Sequence, residues 1–394
     1  MAQLSEFLYP LLEVSIIIFL AEVIRTALRR IKLPGLVGEL VLGMIISPFL
    51  LGGIINTILG IELFSLNNYL LFLSEFSVIL LVFAAGLEHG ISPLRSAGIY
   101  GFLAATFGAL LPFITAFLFY QNSLGLTQSL VLGTALGATS LAAVSSIIYE
   151  KKIVNNIGAS FLLTAAAIDD VIDLILLSVV LGIALSTVAL STLEVIRIIS
   201  FYSISWLIIF IFSIIIIPRI FNKIREEYTE EITFLILFSL IAIMVTLGFS
   251  SVIAAFIAGI SIAESIKKEK VAHLVEVLLP IFGPIFFVSI GMQINLTQIN
   301  PETLLLALEL TGIAFLFKIV GIFPFALAKT KDLKNSIAIS IGMTPRGEMG
   351  LVVASIGGSL GLLGNEELAS IVLMAIFTTI IGASIFNKIW SWLK

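Results

Sequence analysis

The stretch AAAIDDVIDLILLSVV, residues 165–180, decides how this chain is read: Asp169, Asp170 and Asp173 are three of its four aspartates and stand inside an apolar run. A carboxylate at the centre of a bilayer costs about 2.5–3.5 kcal/mol on insertion scales, so three within five residues mark a functional site by default. Residues three and four apart share a helix face, which puts Asp173 beside both Asp170 and Asp169. Like charges this close cannot all stay ionised without a cation, a basic partner or a bound proton. A site that holds either a cation or protons is the physical core of cation/proton exchange. A polar cluster that merely joins helices is the alternative, and a costly way to join them.

The rest of the chain has the composition of a polytopic membrane protein, with 59% hydrophobic and 12% charged residues and a strongly positive mean hydropathy. No water-soluble core hides that much apolar surface. Cysteine is absent, which excludes disulfides, thiolate catalysis and Cys-based metal sites. The first nine residues carry no basic region or small-residue cleavage site, so the first span is expected to stay in place. Lys394 directly follows an apolar segment, and no soluble nucleotide-binding or regulatory domain is expected.

About twenty apolar residues cross the hydrocarbon core. This predicts spans near 7–24, 34–52, 68–88, 96–119, 128–148, 157–186, 196–217, 232–247, 250–266, 276–294, 302–328, 335–360 and 367–388, thirteen in all. Gly248 and two serines divide spans eight and nine in a tight turn. The basic residues check the count. Arg25, Arg29, Arg30 and Lys32 follow span one, Arg95 follows span three, and Lys151 and Lys152 follow span five. Arg219, Lys223 and Arg225 follow span seven; Lys267, Lys268 and Lys270 follow span nine; Lys329, Lys331 and Lys334 follow span eleven; Lys388 and Lys394 close the chain. All lie on one side, leaving only Arg197, Lys318 and Arg346 inside spans. The positive-inside rule then puts the C-terminus in the cytoplasm and the N-terminus outside.

Thirteen spans permit two six-span halves of opposite orientation joined by span seven, the inverted-repeat plan of many secondary transporters. GTALGATSLAAVSS (133–146) in span five and GMTPRGEMGLVVASIGGS (342–359) in span twelve occupy corresponding places, are rich in Gly, Ser and Thr, and the second contains Pro345. Interruptions at matching positions point to a binding site built from broken helices near the midplane.

Lys318, in FLFKIVGIFPFALA (315–328), sits near the middle of span eleven, where an ammonium needs a counter-charge; the aspartates are the partner at similar depth. Arg346 and Glu348 flank the span-twelve interruption and are expected to form a structural ion pair, which at i, i+2 requires an extended or broken backbone. Thr139 and Ser140 offer hydroxyl and carbonyl oxygens suited to a hard cation, although span hydroxyls also bond their own helix. Glu13 and Glu39 read as reaching water or a neighbouring helix, while Glu75 and Glu309 stay unassigned. His89 and His273 read as interfacial, and Gly133 to Gly137 as a close-packing GxxxG.

EFSVILLVFAAGLE (75–88), the adjacent Asp169 and Asp170, PIFGPIFFVSIGMQINL (280–296), Lys318 and GMTPRGEMGLV (342–352) together resemble the cation:proton antiporter 2 family of bacteria and archaea over nearly the whole chain. The resemblance implies a carrier rather than an enzyme, all-α with thirteen spans, working as a homodimer in the prokaryotic plasma membrane. It implies a dimer domain, residues 1–95 and 190–294, and a mobile core domain, residues 96–189 and 295–394, moving like an elevator. It also implies crossed, partly unwound helices at spans five and twelve. No cofactor and no nucleic acid is expected, only transported Na⁺ or Li⁺ and H⁺.

Residue by residue, Asp170 matches the family's main ion-binding carboxylate, Asp169 the one paired with Lys318, and Thr139 and Ser140 the unwound segment beside them. This pattern goes with electrogenic exchange. Asp173 departs from it, since a small or neutral residue is commoner there, and bears on cation preference and proton count. K⁺/H⁺ exchange is the nearest alternative, because carboxylates alone do not set ion size. A sodium-coupled organic-solute symporter shares such a fold. An intramembrane aspartyl protease also needs two buried carboxylates, but from facing helices that share a proton, not three on one helix with a lysine at hand.

Overall fold

The computed structural model describes residues 2–30, 33–140, 142–153, 156–186 and 192–393. Lys32 and Lys394 of the orientation pattern lie outside them. In chain order the helices are α1 (Ala2–Arg30), α2 (Gly35–Ile46), α3 (Leu51–Leu59), α4 (Asn68–His89), α5 (Ser92–Ser96), α6 (Gly98–Tyr120), α7 (Leu126–Gly137), α8 (Ala142–Glu150) and α9 (Ile157–Ala184). They continue with α10 (Thr192–Lys223), α11 (Thr229–Thr246), α12 (Ser251–Ala263), α13 (Lys268–Gln293), α14 (Pro301–Thr330), α15 (Leu333–Gly342), α16 (Glu348–Ser359) and α17 (Asn365–Ile389). No strand occurs among the described residues.

Among the described residues eight helices are long and apolar enough to cross a membrane, and the α2/α3 pair, bent by 44°, makes a ninth. The bend corrects the single span expected over 34–52. Ser47 and Pro48 follow Ile46, and a proline both lacks an N–H and pushes the preceding residue out of the helical region. The helix α9 has the length to cross but carries the three aspartates.

Two compact units divide the chain, one of Met1–Phe72, Ser96–Asp173 and Phe287–Lys394, the other of Leu73–Arg95 and Leu174–Phe286. In the second unit α4 and α12 are in backbone contact, because Gly86 and Gly259 each leave a gap that the other helix's carbonyl oxygens fill. In the first unit α14 begins sharply at Asn300, whose side chain accepts from Thr303 N at 2.7 Å, with Pro301 at the first helical position. With 1.5 Å of rise per residue, Lys318 then falls roughly 26 Å along the helix, near its middle. There α14 lies against α6: a Cβ at Gly321 would strike the backbone of Phe107, and one at Gly108 would lie 2.9 Å from Ile322 and 3.5 Å from Lys318 Cε. The lysine stem therefore runs down a groove that glycine keeps open.

Two interruptions in this unit matter for the site. Helix α7 stops at Gly137, with Ala138 extended at φ −60°, ψ 145°, and α8 resumes at Ala142. Helix α15 stops at Gly342 and α16 resumes at Glu348, with Pro345 between them. The two non-helical segments meet through a buried backbone bond, in which Ser140 N–H donates to Pro345 O at 2.8 Å. Helix α17 seals the second break, since Thr379 Oγ1 donates to Arg346 O at 2.5 Å and Arg346 N–H donates to Thr378 Oγ1 at 3.2 Å.

Candidate functional site

Asp169 and Asp173, one helical turn apart on α9, are buried beneath these interruptions, and Asp170 retains 8% exposure. Lys318 meets the cluster from α14. Its ammonium donates to both oxygens of Asp169, at 2.8 and 2.7 Å, and to Gly137 O at 2.7 Å. All three ammonium protons thus have acceptors, and both side chains are fully buried. The pairing expected from the sequence is present, and the third bond adds the open C-terminal end of α7, whose last carbonyls have no partner within their helix.

Asp173 is placed differently. It is 2% exposed, and neither carboxylate oxygen has a hydrogen-bond partner among the described residues. Its Oδ1 lies over Gly137, 2.7 Å from where a Cβ there would be. Any side chain at 137 would displace it.

Thr139 and Ser140 both lie in the first interruption and both are buried. Thr139 Oγ1 donates to Met343 O at 3.4 Å and accepts from Arg346 Nη1 at 3.3 Å. Ser140 Oγ donates to Glu348 Oε2 at 2.6 Å. Each hydroxyl has committed its one proton, which leaves lone pairs as its remaining capacity.

Arg346 and Glu348 are not an ion pair. Glu348 opens α16 and takes the Ser140 hydroxyl, whereas the fully buried Arg346 guanidinium reaches the other way, to Thr139 Oγ1 and, at 3.1 Å, to Ala314 O on α14. The break in span twelve does not bring two side chains at i, i+2 onto one side. Both charges instead join the site: Arg346 lies within electrostatic reach of Asp169 and Asp173, and Glu348 of Asp170 and Glu39. The sequence assigned these two residues to each other, and only the packing separates them. Four carboxyl groups then share the site with two basic side chains, an excess of negative charge that a monovalent cation or protons would offset.

Three of the other span acids have local partners, and Glu75 lies exposed on α4. Glu39 on α2 is clasped by Arg25 of α1, with Nε at 3.0 Å and Nη2 at 2.6 Å. Glu13 accepts from Ser65 N and Asn67 Nδ2 and so ties the loop before α4 to α1. Glu309 accepts from Tyr120 Oη at 2.8 Å, an α14 to α6 contact that nothing in the sequence signalled.

Residues 15–392 match the family model for the transmembrane sodium/hydrogen exchanger. The chain is 33% identical to the probable Na⁺/H⁺ antiporter GerT of Bacillus cereus, over 87% of this chain and 89% of that protein. It is 31% identical to the Na⁺/H⁺-K⁺ antiporter GerN of the same organism, over 89% of each. Among solved structures it is similar to the sodium proton antiporter MjNhaP1 of Methanocaldococcus jannaschii at pH 8, with a TM-score of 0.73 at 16% identity over 96% of this chain and 95% of that one; this likeness concerns the fold.

Proposed function

The chain belongs to the sodium/hydrogen exchanger family, and from that premise we propose that it is an electrogenic antiporter exchanging Na⁺ or Li⁺ for protons at the α9 aspartates. The observation that carries this reading is the fully buried Asp169–Lys318 pair next to Asp170, the most accessible of the three carboxylates. Asp170 binds the dehydrated cation together with oxygens of Thr139 and Ser140, whose lone pairs suit a hard ion. Cation entry releases Lys318 from Asp169, and protons from the other side of the membrane displace the cation and restore the pair. Arg346, anchored on Thr139 and Ala314, and Glu348, anchored on Ser140, hold the two interruptions in register.

The architecture proposed with it has thirteen spans in two inverted repeats, with crossed broken helices at spans five and twelve. Taking α2/α3, α7/α8 and α15/α16 as one span each, and leaving out the short α5, supports that number. The proposed organisation is a homodimer in a prokaryotic plasma membrane, N-terminus outside and C-terminus cytoplasmic. Residues 1–95 and 190–294 form its dimer domain, and residues 96–189 and 295–394 its core domain. K⁺/H⁺ exchange is the second reading, favoured by the similarity to the Na⁺/H⁺-K⁺ antiporter GerN. Proteoliposomes with an imposed proton gradient, challenged separately with Na⁺, Li⁺ and K⁺, distinguish the two. Na⁺ and Li⁺ are expected to move protons and K⁺ to move few, and a response to K⁺ alone overturns the sodium assignment.

A further inference from the structure

Lys318 is bound where a second carboxylate of the same helix also rests. Its ammonium donates to Asp169 and to Gly137 O, and the Asp173 carboxylate lies against that same Gly137. Asp173 stands four residues beyond Asp169 on α9, a displacement of about 6 Å along one face. It is 2% exposed, and both of its oxygens lack a hydrogen-bond partner among the described residues. A carboxylate buried without a donor is costly to keep unless some step of the working cycle supplies one.

We infer that Lys318 has two seats on α9: Asp169, which it occupies in this structure, and Asp173, to which its ammonium moves when a cation occupies the site at Asp170. This rests on the cation/proton exchange reading and gives Asp173 a role within it. The lysine keeps its charge and remains paired through the swap, and Gly137, whose carbonyl accepts from the ammonium and whose Cα face adjoins Asp173, borders both seats. Arg346 is the other cation facing Asp173; Thr139 Oγ1 and Ala314 O hold its two terminal nitrogens, which fixes its planar fork in place with Nε unpaired among the described residues. The lysine ammonium, on a flexible four-carbon stem in the groove beside Gly108, has the freedom to move.

The second seat lowers the work a cation must do to displace Lys318. Asp173→Asn keeps the shape of the side chain and removes that seat without touching the resting Asp169 pair. Sodium-dependent proton movement in proteoliposomes is expected to show the apparent KM for Na⁺ raised about tenfold or more, with the rate at saturating Na⁺ within about twofold of wild type. A residue that only supports packing would lower the rate instead. In a Lys318→Gln background, where no ammonium seeks a seat, Na⁺ affinity is read by equilibrium binding rather than by transport, and adding Asp173→Asn is expected to change it by less than about twofold. An unchanged KM in the single variant, or a roughly tenfold weakening of Na⁺ binding by Asp173→Asn in the Lys318→Gln background as well, overturns the inference.

Gly137→Ala provides a second route if Asp173→Asn does not fold. Its methyl group intrudes on Asp173 Oδ1 and obstructs the passage between the seats while altering no charge. The same rise in KM is expected, and an unchanged KM counts against the two seats. The two claims fail separately. A wild-type protein that moves no protons in response to Na⁺ removes the exchange reading and this inference with it, whereas normal wild-type exchange with an unaltered KM in both variants removes the inference alone.

Discussion

Replacing Lys318 by methionine keeps most of the side-chain volume and leaves the Asp169 carboxylate buried without the two hydrogen bonds, at 2.8 and 2.7 Å, that now satisfy it. Breaking a buried pair by removing one partner costs about 3–5 kcal/mol, because the remaining charge stays out of water. An unfolding entropy of about 2.1 cal/mol/K per residue gives roughly 0.8 kcal/mol/K for 394 residues, so the expected fall in unfolding temperature is about 4–6 °C. The assay is thermal unfolding of the purified protein in detergent at pH 8. Adding Asp169→Leu to Lys318→Met removes the stranded carboxylate and should recover most of the loss, since apolar replacements of buried ion pairs are often neutral or stabilising. The recovered protein should still fail to exchange ions. A single variant as stable as wild type, or a double variant less stable than Lys318→Met alone, would refute the claim that this pair is held at the cost of desolvation.

Ser140→Ala removes the donor 2.6 Å from Glu348, a charge-assisted hydrogen bond worth about 1.5–3 kcal/mol, and should lower the unfolding temperature by about 2–4 °C. The measurement is the same unfolding assay, with Glu348→Gln expected to relieve part of the loss. At Gly382, on α17, a Cβ would lie 2.7 Å from Thr344 Oγ1 and 2.9 Å from Pro345 Cγ, so Gly382→Leu forces apart the wall of the second interruption. Overpacking of this kind costs about 1–3 kcal/mol, and transport in proteoliposomes should fall at least tenfold. Gly358→Ala in α16, where the nearest side-chain atom is 3.8 Å away, should leave both stability and transport within error of wild type or slightly improved.

The sequence exposes those features that one-dimensional physics controls. Long apolar runs set the helices, the aspartates and Lys318 declare themselves by being charged at mid-span, and Gly137, Pro345 and the hydroxyl residues around them mark where α7/α8 and α15/α16 separate. The bend after Ile46 had a local signal as well, in Ser47 and Pro48. What stayed hidden depends on which helices meet. Arg346 turns from Glu348 to the backbone of α14 because the packing brings Ala314 within 3.1 Å, a contact that no local spacing encodes. Glu309 finds Tyr120, and Glu13 finds Asn67, for the same reason. The Gly137 to Gly133 motif announced only close packing, while its more consequential property, a carbonyl facing Lys318 and open space for Asp173, appears once α7, α9 and α14 are assembled.

We propose that one carboxylate, Asp170, carries the exchanged cation beside a resting Asp169–Lys318 pair that does not depend on it. Wild-type and Asp170→Asn proteins, reconstituted side by side at matched density with thermal stability confirmed equal, put it to the test through proton movement driven by a Na⁺ gradient, with and without a membrane potential. Rapid, potential-sensitive exchange is expected in the wild type and a loss of at least a hundredfold in Asp170→Asn. Exchange that survives in Asp170→Asn would contradict this role for Asp170.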